Sequence, residues 1–150
     1  MISNPELIMR LVAAAVLGSF IGMEREWHRR PAGLRTHMLV CVSSALITML
    51  SMYAFNQSDP ARIAAQIITG IGFIGAGTIF RHKDTVTGIT TAATLFAVAA
   101  IGIGIGSGFY LATGVGTVLM LATLGLRFLE PKGESRDGPD KKKSKEKGRR

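Results

Sequence analysis

Features of secreted domains and nucleic-acid-binding modules are scarce in this sequence. Among 150 residues there is a single cysteine, Cys41, so no internal disulfide can form and the redox compartment cannot be inferred from it. Aromatic residues make up 7% of the chain, and no basic face with interleaved aromatics occurs within a folded module. The pI of 10.3 therefore does not indicate nucleic-acid binding.

Catalytic motifs and metal-binding motifs are also missing. The sequence has no nucleophile–base–orienter set and no zinc spacing, and the Gly-rich run at 70–77 lacks the Gly-Lys-Ser/Thr of a phosphate-binding loop. His37 and Cys41, four residues apart, are a weak metal pair. Magnesium usually takes one or two carboxylates plus waters, whereas the five acids before residue 130 all lie near predicted helix ends. We expect no enzyme, no cofactor and no metal site.

A cleavable signal peptide is not expected. The segment before Leu11 contains one cation, Arg10, and the apolar stretch runs to Gly22-Met23-Glu24 without a small-x-small cleavage site. The first helix should therefore remain part of the chain.

Long apolar runs are the main feature that is present. A hydrocarbon core about 30 Å thick needs roughly 20 apolar helical residues, with about 17 as a lower limit. Five runs meet that limit and predict an all-α, polytopic transmembrane bundle within residues 1–129: 7–23, 38–55, 63–80, 89–105 and 109–126. Because all five are short, Arg10 and Arg127 near span ends are expected to reach the interface by snorkelling.

The division between the last two runs depends on glycine. Gly102, Gly104, Gly106 and Gly108 alternate with other residues, a density that disfavours an uninterrupted helix. A single helix over 89–129 would also protrude far beyond the bilayer. We therefore predict a tight turn near Gly106-Ser107-Gly108.

The distribution of cations predicts the orientation. The first and third loops hold six Lys or Arg residues, the second loop holds only Arg62 beside Asp59, and the fourth holds none. Cytoplasmic segments are enriched in Lys and Arg, so the first loop, the third loop and the tail should be cytoplasmic and the N-terminus outside. With five spans both loops and the tail lie on the cytoplasmic side, whereas with four spans the tail would lie outside.

The C-terminal segment 130–150 carries nine of the 18 basic residues and no apolar periodicity. Such a composition cannot bury enough apolar surface to order itself, so we predict a disordered cytoplasmic tail. An alternative is attraction to anionic lipid headgroups, which the five interspersed acids weaken.

Small residues at helical spacing predict where helices pack, since close contact drives association in a bilayer. Ala14, Gly18 and Gly22 form such a stripe in the first span and predict self-association, with a homodimer favoured. In the third span, the run that contains Gly70, Gly72, Gly75 and Gly77 allows two interpretations. It is either a packing helix or a partly unwound helix that faces an internal site.

Polar residues near the helix ends form the candidate functional set, which consists of Glu24, Arg25, Glu26, Arg35, Asp59, Arg62 and Asp84. Thr90 and Thr91, at the start of the fourth span, belong instead with the glycines of the third span to the candidate packing or unwound segment. For Glu24, Arg25, Glu26 and Arg35 the alternatives are interface anchoring or a cluster, completed by Asp84, that receives a cation or a partner. For Asp59 and Arg62 one alternative is helix capping together with ion pairing, and the other is substrate capture.

Four strings in this order resemble the MgtC/SapB membrane domain over residues 5–129. They are Gly22-Met23-Glu24-Arg25-Glu26, Arg30-Pro31-Ala32-Gly33-Leu34-Arg35-Thr36-His37, Asp59-Pro60-Ala61-Arg62-Ile63-Ala64-Ala65-Gln66 and Gly88-Ile89-Thr90-Thr91-Ala92-Ala93, with the third-span glycine run between the last two. The resemblance implies a bacterial inner-membrane protein linked to growth under magnesium limitation. Longer members carry a soluble C-terminal domain, in whose place this chain has a short basic tail.

The functional hypothesis is a non-enzymatic modulator in magnesium-linked homeostasis that contacts other membrane proteins in the lipid bilayer. The alternative is a transporter or channel component for magnesium or another small solute. The physiological role in both rests on the resemblance.

Overall fold

Helices account for most of the computed structural model, which describes residues 2–54, 59, 62–83 and 85–126. The five α-helices and two strands are α1 (Asn4–Trp27), α2 (Leu34–Met49), α3 (Arg62–Ala76), β1 (Phe80–His82), β2 (Thr85–Thr87), α4 (Ile89–Ser107) and α5 (Tyr110–Gly125). The predicted tail 130–150 lies outside the described residues. The first, second and fourth helices are long and apolar enough to cross a membrane, α2 being counted with the turn that follows it.

The second helix continues beyond Met49 as a π-helical turn, Leu50–Ala54. π-Helical turns are rare and are found frequently at functional sites. Here Ser51 accepts a hydrogen bond from the backbone amide of Ala64 in α3 at 3.3 Å. That bond fastens the beginning of α3 to the end of α2.

The third helix ends at Ala76, four residues before the end of the predicted span. The amides of Thr78 and Ile79 bond to the carbonyls of Gly75 and Ala76 at 3.0 and 3.1 Å, so the last turn tightens and the helix stops. A two-stranded antiparallel hairpin follows, with Phe80 opposite Thr87. The all-α prediction therefore omits one small hairpin, formed where the β-branched residues Thr85, Val86 and Thr87 favour a strand.

Gly88 closes the hairpin onto α4 and cannot be replaced without strain. Its φ is +87°, and a Cβ at this position would overlap the carbonyl oxygen of Thr78. The close approach of these two segments explains why a glycine stands directly before α4.

The predicted turn between the last two helices is confirmed. Helix α4 ends at Ser107, and Gly108 follows with φ +86°. The amides of Gly108 and Phe109 bond to the carbonyls of Ile105 and Gly104 at 3.1 and 2.9 Å, the pattern of a Schellman cap. The chain then reverses directly into α5.

Helices α1, α2 and α4 form the core through close backbone contact. A Cβ at Gly18 would lie 2.8 Å from that of Cys41, and one at Gly22 would lie 2.7 Å from the Cα of Leu34. A Cβ at Gly102 would be 2.6 Å from that of Ser44, and Gly106 faces Ala45 and Thr48. Two of the four glycines in this segment, Gly102 and Gly106, therefore act as contact points for α2, while Gly104 faces Thr113 of α5 and Gly108 forms the turn.

The stripe of Ala14, Gly18 and Gly22 is thus used within the chain. Ala14 and Gly18 are buried, and Gly18 lies against α2. The close contact of this stripe is satisfied within the chain, and self-association of the protein stays a prediction.

Hydrogen bonds define the two ends of the bundle. At one end, Arg10 near the start of α1 bonds to Tyr53 after α2, Gly106 near the end of α4 and Tyr110 at the start of α5. We call this the Arg10 end. At the opposite end, which we call the His37 end, His37 near the start of α2 lies beside Thr94 near the start of α4. Consecutive helices therefore run in alternating directions.

The α2–α4 contact generates a stability prediction. Gly102→Ala should lower the free energy of unfolding by about 1–3 kcal/mol, because the added methyl group overpacks the contact with α2. Gly116→Ala in α5 is the matched control, since a Cβ there meets nothing within 4 Å. It should be neutral or raise stability by up to about 1 kcal/mol through helix propensity. Thermal unfolding in detergent measures both, and equal shifts for the two variants would contradict the packing.

Candidate functional site

The most elaborate polar site surrounds Arg10 in the second turn of α1. The residue is 5% exposed, and its guanidinium donates to the carbonyl oxygen of Gly106 at 2.6 Å and to the hydroxyl groups of Tyr110 at 2.9 Å and Tyr53 at 3.3 Å. It also forms an ion pair with Glu6, one turn earlier on the same helix. Four elements of the bundle are therefore joined by one side chain.

Local structure explains why these partners face Arg10. The carbonyl of Gly106 belongs to the last turn of α4, where carbonyl groups lack intrahelical partners. The π-turn positions Tyr53, and the tight turn at Gly108 brings in Tyr110. Both aromatic rings lie 5.7 Å from the guanidinium carbon, a distance at which cation–π attraction adds to the hydrogen bonds.

The snorkelling predicted for Arg10 is wrong for this reason. The side chain turns into the bundle, where a neighbouring carboxylate and three hydrogen-bond acceptors compensate for the loss of water. A buried charge without such partners would be strongly unfavourable. Arg10 thus acts as a clamp that holds the Arg10 end closed.

The second polar site lies at the His37 end. His37 is fully buried, with Nδ1 2.9 Å from the carbonyl of Gly33 and Nε2 3.2 Å from the hydroxyl of Thr94. Thr94 also donates to the carbonyl of Thr91 at 2.8 Å. If Nδ1 donates to the carbonyl, Nε2 is left to accept from a donor. The hydroxyl of Thr94 has one proton, so it can donate either to the carbonyl of Thr91 or to Nε2 of His37, but not to both at once.

The acidic residues at the end of α1 have separate roles. Glu24 forms an ion pair with the buried Arg25, and its carboxylate lies 3.1 Å from Nδ1 of His28. Glu26 accepts a hydrogen bond from the amide of Leu34 at 2.8 Å and so caps the first turn of α2. These contacts fold the first loop back onto the bundle.

The predicted polar set is not brought together in one place. Arg35 is exposed, and Asp84 lies outside the described residues. Asp59 and Arg62 belong to the opposite end of the bundle, where the amide of Arg62 lies 3.4 Å from the carbonyl of Asp59. Side-chain capping by Asp59 stays a prediction.

The residues of the predicted glycine and threonine set also lie in different surroundings. Helix α3 is continuous through Gly70, Gly72 and Gly75, so these residues form no unwound segment here. A Cβ at Gly75 would contact Ala92 at 3.6 Å, whereas Gly70 and Gly72 face open space and Gly77 lies in the turn after the helix. Thr91 is buried, and Thr90 is exposed.

Sequence reasoning missed His37, Thr94, Tyr53 and Tyr110 as site residues. A usable signal existed for Arg10, because a charged residue within an apolar span is by default a functional-site hypothesis. No such signal identified the tyrosines, which are 43 and 100 positions away from it. Among the described residues, no group of three His, Cys, Asp or Glu side chains is placed to hold a metal ion.

The Arg10 clamp can be tested by substitution. Arg10→Met keeps an unbranched apolar stem but leaves the Gly106 carbonyl without its donor and removes the ion pair of Glu6, whose remaining donor is the hydroxyl of Tyr110 at 3.4 Å. Hydrogen bonds to charged groups contribute about 1.5–3 kcal/mol each, so thermal unfolding in detergent should show a loss of about 2 kcal/mol or more. Arg81→Gln, at an exposed position of β1, is the control and should leave stability unchanged. An unchanged melting temperature for Arg10→Met would contradict the clamp.

Several known proteins are similar in sequence to this chain. The chain is 46% identical over 127 residues to a protein of Escherichia coli (strain K12) named "Putative magnesium transporter YhiD", with 79% of this chain and 59% of the relative covered. It is 46% identical over 112 residues to protein MgtC of Brucella abortus, with 75% and 47% covered. A protein of Synechocystis is 44% identical over 123 residues, with 81% and 53% covered.

The chain spans about half the length of these curated relatives. No solved structure matches it. The model of the MgtC family matches residues 11–130, a region that includes both polar sites except for Glu6 and Arg10. This chain therefore belongs to the MgtC family.

Proposed function

We propose that this chain is a multi-pass protein of the bacterial inner membrane that modulates magnesium-linked homeostasis by contacting other membrane proteins, without enzymatic chemistry. The names of its relatives support the link to magnesium. The close packing of α1, α2 and α4 supports a modulator in preference to a transporter.

That packing is the observation on which the proposal rests. The space between the two polar sites is occupied by direct contacts of Gly18 with Cys41, Gly102 with Ser44 and Gly106 with Thr48. Cys41, Ala45, Val98 and Ala99 in the same region are completely buried. A hydrated cation would need these helices to separate, because the contacts are made by backbone atoms and by Cβ atoms, which rotation of a side chain does not move.

The direction of the helices supports five spans with the N-terminus outside. Both the first loop and the hairpin lie at the His37 end, and these are the cation-rich loops. Assigning that end to the cytoplasm satisfies the preference of cytoplasmic segments for Lys and Arg. Helices α3 and α5 have 15 and 16 residues, about 22–24 Å at about 1.5 Å per residue. The bilayer would have to thin locally around them, or adjoining residues would have to extend the spans.

A contact function fits the incompletely covered helices α3 and α5. Phe73 in α3 and Leu111 in α5 are 85% and 83% exposed, and Gly72 and Gly114 have open space where a Cβ would stand. Small residues on exposed faces allow another helix to approach closely. The homodimer remains one proposed use of these faces, and a different membrane protein is the other.

The topology can be tested with a reporter fused after Arg150. A cytoplasmic reporter should be active and a periplasmic one inactive, because an odd number of spans separates the two termini. A second fusion in the loop after Trp27 should give the same pattern, whereas a fusion at Asp59 should give the reverse. Periplasmic activity after Arg150 would remove the fifth span.

Transport is the competing function, and the name of the Escherichia coli relative is the observation in its favour. Purified protein in liposomes loaded with a magnesium-sensitive dye separates the two. We expect magnesium entry to match that of protein-free liposomes, because the helix core is closed. Protein-dependent entry that is lost in Asp59→Ala or Arg62→Ala would overturn the modulator proposal.

A pull-down from membranes of cells grown at low and at high magnesium identifies the partner that this proposal requires.

A further inference from the structure

An open groove of about 630 Å³ lies between α2 and α3 on the outside of the helix core. Its walls include Leu39, Ser43 and Ile47 from α2 and Ile63, Gly70 and Ile74 from α3. Most of the lining is aliphatic. The groove is separate from both polar sites, neither of which contributes a side chain to it.

The dimensions of the groove suit one hydrocarbon chain. From Ile63 to Ile74 it follows α3 for eleven residue steps, about 17 Å at about 1.5 Å per residue. One leaflet contributes about half of a hydrocarbon core of about 30 Å. The groove therefore has about the length of a single acyl chain. Gly70 keeps it open, because a Cβ there would meet nothing within 4 Å.

The exposed cations at the His37 end favour a lipid with an anionic headgroup. Arg35 lies one helical turn before Leu39, at the margin of the groove, and its side chain is exposed. It forms no ion pair with any described residue, whereas Glu24 is paired with Arg25 and Glu26 accepts from the amide of Leu34. Arg81 and Lys83 in the hairpin add two exposed cations at the same end of the bundle. These exposed cations favour an anionic group at this end.

We propose that the α2–α3 groove binds an anionic phospholipid of the cytoplasmic leaflet, with one acyl chain between the two helices and the headgroup phosphate on Arg35. This assignment rests on the membrane placement given above and is independent of the modulator role. Guanidinium groups bind phosphate through two parallel hydrogen bonds, which an exposed arginine at a membrane interface can supply. The bound lipid covers the side of α3 that lines the groove, whereas Gly72 and Phe73 lie outside it.

Native mass spectrometry of the full chain, released from detergent with defined lipid added, tests this assignment. The probes are dioleoyl phosphatidylglycerol and dioleoyl phosphatidylcholine, which share acyl chains and differ in net charge. Wild-type protein should retain one phosphatidylglycerol and markedly less phosphatidylcholine. Arg35→Gln should weaken phosphatidylglycerol binding about fivefold, the effect of one cation near a membrane surface. Arg29→Gln, an exposed cation of the first loop outside α2, should not.

The acyl-chain part of the site is tested by a matched pair of variants. Gly70→Leu places a side chain in the groove and should abolish the retained lipid. Gly72→Leu makes the same change two residues later, at a position that does not line the groove and also has open space. It should retain lipid as the wild type does, and circular dichroism should show that both variants are folded. Equal retention by the two leucine variants, or equal binding of the two lipids by the wild type, would overturn the proposal.

Self-association is distinguished in the same spectra. If Gly70→Leu changes the fraction of dimer and leaves lipid retention intact, the groove is a contact between copies and the lipid assignment is wrong. Loss of growth at low magnesium is scored separately on the same variants. A variant that retains lipid but grows poorly at low magnesium, or one that loses lipid but grows normally, distinguishes a failure of this site from a failure of the proposed function.

Discussion

The close approach of α1 and α4 to α2 is the constraint on which the rest of the structure depends. Gly18 and Gly22 allow α1 to contact α2, and Gly102 and Gly106 allow α4 to do the same from the other side. Without a hydrophobic driving force between helices in lipid, such contact provides van der Waals attraction that larger residues would prevent. Once these helices are in place, their ends are near enough for polar side chains to bridge them.

The two polar sites use that proximity at opposite ends. Arg10 connects α1 to the ends of α2 and α4 and the beginning of α5, and His37 connects α2 to α4. Each site satisfies backbone or side-chain groups that would otherwise lack partners, which is costly away from water. The bundle is therefore closed at both ends by hydrogen bonds and in the middle by small residues. The periphery, α3 and α5, is less covered, and these are the faces proposed above for lipid and protein partners.

Much of the architecture could be predicted because it depends on local chemistry. Apolar runs of 17 or 18 residues located the five helices, and the glycines around Gly108 located the turn between the last two. The early end of α3 and the hairpin after it were not predicted, because an apolar run continues from Ile74 to Phe80 and hides the change of backbone. The candidate site was predicted less well. Glu24, Arg25 and Glu26 do form polar contacts, but Arg35 stays outside them.

By itself, the sequence determined the helical class, the number of helices and the uneven distribution of charge, since each follows from residues close together in the chain. Only the tertiary structure decided how the glycine stripes are used. A stripe such as Ala14, Gly18 and Gly22 has the same spacing whether it faces a second copy or a neighbouring helix, and here it faces α2. The partners of Arg10 were decided in the same way, because Tyr53, Gly106 and Tyr110 meet only when four chain segments converge. Long-range convergence is a property of packing, and no local pattern encodes it.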